Sequence, residues 1–470
     1  MSNNYNNNNN YHGSSGGRGG RGGRGGRGGR QGGGGGAGGR GGRGQNTGRL
    51  RPCGPFLKDN TCQNGPNCTF AHVIKLHARL DASNPKPQQN QNNQNNNGYG
   101  GGYNNNRKPH VELSPVSAIS LWENQGTIKI FTGSHDGFWR LWNTSGGQFV
   151  KEFEHNLSSG GGKVECLQVA SNFLFCGFEA VSLSLPNVPV GMIHAWNLAN
   201  PTAPPLEFHM QTGLLPYAHA TCVTTLVVHG GDTLISGCRS GVVRIWKFNA
   251  TSNAFELQQT IHGHAREITG IVVVESMLWT SSIDGSIRLW DLNSTTGECK
   301  FVITKDAKAG TGSGHAQAVT GLLACPMPNM GTFVLSSSLD GTIKAWNGTN
   351  GECVASEEHG GAGVVSMALS DGGAAGATTP PAAAGGATPP ASSVPILLIG
   401  LDNGNIMMRN LVQTSKSPAF SLILTLSPQY STGHNNGPVK TIVAGPSGTF
   451  YSGGADGKML VLQIVADLGI

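Results

Sequence analysis

Asp284-Gly285-Ser286-Ile287-Arg288-Leu289-Trp290 decides how this chain folds. The acid and the glycine make a tight turn, a short alternating strand follows, and the strand ends on an indole. The phrase returns from Asp136 to Trp142, with close variants from Ser240 to Trp246 and from Asp340 to Trp346. Fuller copies carry a Gly-His pair upstream, at Gly263-His264 and Gly314-His315. Working outward, Asp402 heads a copy with Met408 in the Trp position, and Asp456 heads one with Leu462 there. A further copy has lost its Asp, with Val190 in that place, and ends at Trp196. The anchors at 136, 190, 240, 284, 340, 402 and 456 make seven copies, and such a period predicts a ring of repeated units.

These phrases resemble the WD40 repeat, a family of β-propellers in which each repeat supplies four strands to a blade. The resemblance implies a buried hydrogen-bond network of His264, Thr280, Asp284 and Trp290, and its counterpart of His315, Ser336, Asp340 and Trp346. Sets of His, Asp and hydroxyl that recur around a ring read as structural joints rather than active sites. For the central blade, β-branched alternation predicts strands over 268–274, 277–281, 286–290 and 300–304. The last repeat shows only three strands, over 439–444, 450–453 and 458–466, and residues 110–114 are expected to supply the fourth and close the ring.

Charge divides the chain. Up to residue 110 there are 15 Lys or Arg against 2 Asp or Glu, or +13; beyond it 17 stand against 24, or −7, summing to the net +6. The basic character therefore belongs to the N-terminal part. Residues 1–50 open on Asn and continue as Arg-Gly-Gly, with arginines at Arg18, Arg21, Arg24, Arg27, Arg30, Arg40, Arg43 and Arg49. So little apolar surface cannot offset backbone entropy, and a disordered arm is expected. Arginine pairs with phosphate and stacks on bases, so RNA is the expected partner and single-stranded DNA a possible one.

Next, Cys53, Cys62, Cys68 and His72 are spaced Cys-x8-Cys-x5-Cys-x3-His. Three thiolates and an imidazole suit one structural, tetrahedral zinc ion, which leaves no open position for a catalytic water. The stretch resembles the CCCH zinc finger of many RNA-binding proteins. That resemblance makes Phe56 and Phe70 candidates for core packing or base stacking, with Lys58 and Lys75 adding charge nearby. Residues 73–80 read as a possible short helix, and 81–108, rich in Asn, Gln and Gly, as a flexible linker that lets finger and ring reorient.

The expected organisation is an all-β protein: a disordered arm over 1–50, a CCCH zinc finger over 51–78, a linker over 79–109 and a seven-bladed WD40-type β-propeller over 110–470. Departures from the repeat mark where partners are expected. The second blade replaces its turn by the apolar excursion 179–191, expected on the upper face, where exposed Val or Leu favours a protein partner. Connections over 200–218 and 305–314 lead into blades three and five, and a Gly/Ala/Thr/Pro insertion over 371–393 lies between the first two strands of blade six.

CCCH fingers joined to a WD40 propeller resemble a plant family, for which nucleic-acid binding is implied and enzymatic chemistry is not. The chain carries no phosphate-loop spacing and no run of the roughly 18 apolar residues of a membrane span, so neither a small-molecule substrate nor a membrane is expected. Seven cysteines scattered through the repeats without a disulfide framework read as reduced thiols in the nucleus or cytoplasm, the nucleus favoured. The function expected is an RNA-associated adaptor; the alternatives are a scaffold or ubiquitin-ligase substrate receptor with an auxiliary finger, and a DNA-binding regulator.

Overall fold

The computed structural model describes residues 74–85, 113–157, 162–182, 188–210, 215–294, 296–306, 308–309, 312–327, 330–359, 361–370, 395–414, 417–435 and 437–465. Its first strand is β1 (Ile74–Asp81). Blade 1 follows as β2 (Val116–Asn124), β3 (Thr127–Ser134), β4 (Phe138–Asn143) and β5 (Val150–Asn156). Blade 2 is β6 (Val164–Ala170), β7 (Phe173–Val181), β8 (Pro189–Asn197) and β9 (Leu206–Glu207). Blade 3 is β10 (Val223–His229), β11 (Thr233–Cys238), β12 (Val243–Asn249) and β13 (Ala254–Ile261), and blade 4 is β14 (Ile268–Val274), β15 (Met277–Ser282), β16 (Ile287–Asp291) and β17 (Cys299–Ile303). A two-stranded hairpin, β18 (Lys308–Ala309) and β19 (Gly312–Ser313), occupies the connection into blade 5. Blade 5 is β20 (Val319–Met327), β21 (Gly331–Ser338), β22 (Thr342–Asn347) and β23 (Cys353–Glu358). Blade 6 is β24 (Val364–Ser370), β25 (Ile396–Leu401), β26 (Ile406–Gln413) and β27 (Pro418–Leu426), and the chain ends in β28 (Val439–Ala444), β29 (Thr449–Gly454) and β30 (Lys458–Ile464).

Seven four-stranded antiparallel sheets result, and the first strands of successive blades pack in a closed cycle from β2 through β28 and back to β2. The fold is an all-β, seven-bladed propeller. Its core is the set of layers between blades: Ile235, Val243 and Ile261 of blade 3, for example, pack on Ile268, Leu278 and Trp290 of blade 4. Second strands such as β15 are buried at every residue, because a blade is covered on both faces. At the turn between the second and third strands, Gly285 holds φ +84°, a conformation glycine adopts without Cβ strain. A bulge in the pairing of third and fourth strands falls just before Trp142, Trp246, Trp290 and Trp346, giving these four blades a common register mark.

Two expectations fail here. The ring is closed by β1, which pairs along β30 from Ile74↔Ile464 to Asp81↔Lys458, and not by residues 110–114. Residues 74–80, expected as part of a short helix, are strand. Ile74 and Leu76 pack in the layer between blades 6 and 7, and past a bulge between Leu76 and Ala78 the residues Ala78 and Leu80 pack in the layer towards blade 1, so each half of the segment alternates as a strand does. The boundaries at 78 and 110 move with it. The chain crosses the ring's last blade first, and the Asn/Gln-rich stretch at 86–112 follows that strand instead of separating finger from ring. Pro85 and Leu113, at the two ends of this stretch, bridge each other.

The second correction concerns blade 6. Gly404, φ +83°, matches Gly285, and the bulge falls between Met408 and Arg409. The residue in the Asp position is therefore Asn403, whose Oδ1 accepts from Asn405 N at 3.1 Å as Asp284 Oδ1 accepts from Ser286 N at 2.9 Å. Arg409, not Met408, stands at the Trp register, and Met408 lies one place earlier in the buried core.

Candidate functional site

The His, Asp and hydroxyl sets are joints of the ring. In blade 4 the Trp290 indole N–H donates to Thr280 Oγ1 at 2.8 Å, His264 Nε2 lies 2.9 Å from the same hydroxyl, and His264 Nδ1 lies 3.2 Å from Asp284. The consistent proton order runs from indole to hydroxyl to Nε2, with Nδ1–H donating to the carboxylate. Asp284 also accepts from Ala265 N at 2.9 Å, tying the connection before β14 to the turn after β15. Burial alone would raise its carboxyl, but the bonds from His264, Ser286 and these backbone N–H groups outweigh it and hold Asp284 well below the usual carboxylate range. Blade 5 repeats the set, with Trp346 to Ser336 at 2.8 Å, His315 to Ser336 at 2.6 Å and His315 to Asp340 at 3.2 Å. Burial depresses His315 despite the pull of Asp340, so the imidazole stays neutral.

Blades 7, 3 and 1 keep parts of the joint. Blade 7 retains His434, Asp456 and Ser452, with Leu462 in the indole's place. Blade 3 retains His219, Ser236 and Trp246 but has Ser240 for the acid. In blade 1, Arg140 replaces the histidine: it donates to Asp136 Oδ2 at 2.6 Å and to the carbonyl of Ala82 at 3.1 Å. Asn84 N donates to the same Asp136 at 2.6 Å, so the residues just after β1 are pinned to blade 1.

What lies outside the repeat is displayed on two faces. On the upper face, which carries the turns between second and third strands, β7 and β8 form a long hairpin. Their pairing runs on past Gly177↔Ile193, where other blades turn, to Val181↔Pro189. Val181 and Val188 near its tip are 48% and 43% exposed, so the expected apolar excursion projects outward in part. Below it, Arg239 reaches Glu179 at 2.9 Å, Glu165 at 3.2 Å and Glu267 at 3.5 Å, joining blades 2, 3 and 4. His135 lies 3.1 Å from Glu165. Burial pushes the Glu267 carboxyl up; Arg239 opposes this and Glu165 adds to it. This cluster was not legible in the sequence, because its members come together only across blades.

The lower face receives the chain. Because β1 runs antiparallel to β30, Ile74 lies at the lower end of the blade and Asp81 at the upper. Lys75, a predicted nucleic-acid contact, lies within β1, half-buried and opposite Gln463. Beside it His77 is exposed, with Nε2 2.8 Å from Gln463 Oε1 and its ring 6.5 Å from that of Phe149. The predicted zinc ligands Cys53, Cys62, Cys68 and His72, the contacts Phe56, Lys58 and Phe70, and the arginines of the arm lie outside the described residues. So does the insertion at 371–393, although β24 and β25 on either side of it confirm its place between the first two strands of blade 6. Among the described residues, no group of three or more His, Cys, Asp or Glu could hold a metal ion. As a donor set, three thiols and one imidazole at this spacing fit a tetrahedral zinc and fill its coordination.

Residues 49–74 match the family described as zinc finger C-x8-C-x5-C-x3-H type (and similar), and residues 106–143, 212–247, 255–291 and 308–347 match the WD domain, G-beta repeat. The fold and these matches define a CCCH zinc finger joined to WD40 repeats, and the finger implies zinc binding. Within that class, the chain is similar to zinc finger CCCH domain-containing protein 17 of Oryza sativa subsp. japonica, at 26% identity over 89% of this chain and 73% of that protein. Similarity to zinc finger CCCH domain-containing protein 59 of Arabidopsis thaliana, at 25% identity, covers 54% of this chain and 45% of the relative. The crystal structure of the WD40 beta propeller domain of Doa1 matches with a TM-score of 0.52 at 16% identity, over 76% of this chain and 95% of that one, and bears on the fold alone.

Proposed function

We propose that this protein is a non-enzymatic, RNA-associated adaptor: the finger and the Arg-Gly arm take single-stranded RNA, and the propeller docks a protein partner on its upper face. The observation that carries the reading is the finger, a C-x8-C-x5-C-x3-H set attached to a ring whose recurring polar groups are engaged in structural joints. Cys53, Cys62, Cys68 and His72 hold one zinc. Phe56 and Phe70 offer faces for base stacking, Lys58 and Lys75 add positive charge, and the arm at Arg18, Arg21, Arg24, Arg27, Arg30, Arg40, Arg43 and Arg49 supplies phosphate contacts. The hairpin tip with Val181 and Val188 is the docking site for protein. Seven free thiols in the ring are in keeping with a reducing compartment, nucleus or cytoplasm, the nucleus favoured.

Binding of the full chain to a single-stranded RNA, titrated over salt, tests the nucleic-acid half. If eight arginines each neutralise one phosphate, log K falls with log salt at a slope of roughly −6. Replacing the eight by Gln flattens the slope, and Phe70→Ala with zinc retained weakens binding at every salt. No affinity even at low ionic strength would refute the RNA role.

A second reading makes the ring primary, as a scaffold or substrate receptor, and the projecting hairpin is the observation that favours it. Recovery of protein partners without RNA, unchanged by Cys53→Ser, would decide for that alternative.

A further inference from the structure

Each of the seven blades ends outward in a fourth strand that is the edge of its sheet. An edge strand offers a row of backbone N–H and C=O groups to any other strand, and charged side chains along it are the common guard against such pairing. Six of the seven carry them: Glu152 in β5, Glu207 in β9, Glu256 in β13, Lys300 in β17, Glu357 in β23 and Arg79 in β1. In blade 6, β27 reads Pro418-Ala419-Phe420-Ser421-Leu422-Ile423-Leu424-Thr425-Leu426 and has none.

It is also the longest of the seven, at 9 residues against 2 to 8 in the others. Among the described residues it pairs with β26 alone. Phe420, Ile423 and Leu424 turn inward and hold the strand in its blade, while Ser421 and Leu422 at its middle are exposed, Leu422 by 42%. Pro418 lacks an N–H but stands at the first position, where it ends a ladder without interrupting it. The outer edge of β27 is thus long, uncharged and open.

We infer that this edge takes a second copy of the chain: two rings join blade 6 to blade 6 by antiparallel pairing of β27 with β27, about a two-fold axis near Leu422, the middle residue of the strand. Charge selects that occupant. A strand paired antiparallel with itself sets each residue before the axis against one after it, so charges on both sides of the axis meet their like. About its own middle residue, Phe153, β5 would set Glu152 against Glu154 of the second copy. Self-pairing of β27 brings no charge against another, and the two-fold uses up the open edge on both copies, so association stops at the dimer. A nine-residue strand is about 30 Å long and a sheet about 10 Å thick, so the contact covers on the order of 300 Å² per protomer, below the roughly 800 Å² of standard interfaces. The dimer is therefore weak and depends on concentration. Antiparallel pairing turns one ring over relative to the other, so the two upper faces point opposite ways and both stay free.

Sedimentation velocity of the full chain, freed of nucleic acid by nuclease, from roughly 1 to 200 μM brackets a contact of this size. The expected result is a rise towards the dimer and no further. Leu422→Lys and Ser421→Lys, both at exposed positions, place like charges at the axis and raise the dimer dissociation constant about tenfold or more. Val150→Lys, at an exposed position of β5, leaves it unchanged. A parent that stays monomeric at the highest concentration would overturn the inference, as would a dimer that neither lysine weakens or association that continues into larger species. A monomeric parent that binds an extended segment of another protein, lost with Leu422→Lys, would give the edge to that protein and equally overturn pairing with a second copy.

Discussion

Blades 5 and 6 are neighbours that solve one problem differently. Blade 5 crosses its interior with a continuous polar chain, from Trp346 through Ser336 and His315 to Asp340. Blade 6 has Ile399 at the hydroxyl position, Asn403 at the acid and Arg409 at the indole, and its His359 is fully buried with neither ring nitrogen partnered. Its interior is apolar instead, with Leu397, Leu398, Ile399 and Met408 completely buried. A propeller blade can therefore be assembled by packing alone. What it loses is the side-chain tie between the upper connection and the turn, which in blade 5 runs through Asp340 to Ala316 N at 2.8 Å; a backbone bond from Asp402 N to the carbonyl of Gly363 at 2.9 Å remains.

Substitution at the shared register position should separate the two most widely. Trp346→Ala opens a cavity and strands Ser336 and His315, with an expected loss of about 3–5 kcal/mol in chemical denaturation. A loss under about 1 kcal/mol would mean that the joint matters little. Next in size is an effect of pH. Burial holds His359 down to about 3, with the positive charge of Arg409 adding to it. The unfolded chain takes up that proton below about pH 6.5, so the stability this group contributes is present above that pH and is lost as pH falls towards the folded value. His359→Met should therefore gain about 2 kcal/mol on the parent at pH 5, beyond any difference at pH 8; equal gains at the two pH values would show that the imidazole does not titrate this way. Smallest is Arg409→Met. Burial lowers the Arg409 guanidinium despite the opposing pull of Glu357 at 3.2 Å, and its Nε has no partner. Replacing it with an apolar side chain should change stability by under about 1 kcal/mol, in contrast to the indole at the same register. Slower amide exchange in β21 and β22 than in β25 and β26 would extend the comparison to the backbone.

The ring was legible because its defining phrase combines a turn glycine, alternation and an indole, and the copies at Asp136, Ser240, Asp284, Asp340 and Asp456 keep its spacing. Blade 6 misled because Asp402-Asn403-Gly404 offers two polar residues before the glycine. Only Gly404's left-handed backbone and the bulge before Arg409 fix the frame. β1 misled for another reason. Its alternation from Ile74 to Leu80 was visible, but a strand that pairs with the far end of the chain leaves no local sign of its partner, and a short helix after a finger was an equally local reading. The Arg239 cluster and the hairpin's exposure depend on contacts between blades that spacing along one chain does not encode. The finger's candidate donor set is read from spacing alone, since four ligands within twenty residues need no long-range partner, and it lies outside the described residues.

That finger distinguishes this chain from a propeller alone, and the adaptor reading stands or falls with it. The most direct measurement is crosslinking of the full chain in cells, with sequencing of bound nucleic acid and identification of bound proteins, for the parent and for Cys53→Ser. The account predicts RNA recovered with the parent and reduced about tenfold or more in the variant, a loss equivalent to about 1.4 kcal/mol of binding, while proteins docked at the β7–β8 hairpin remain. RNA recovery that is absent from the parent, or unchanged by Cys53→Ser, would contradict it.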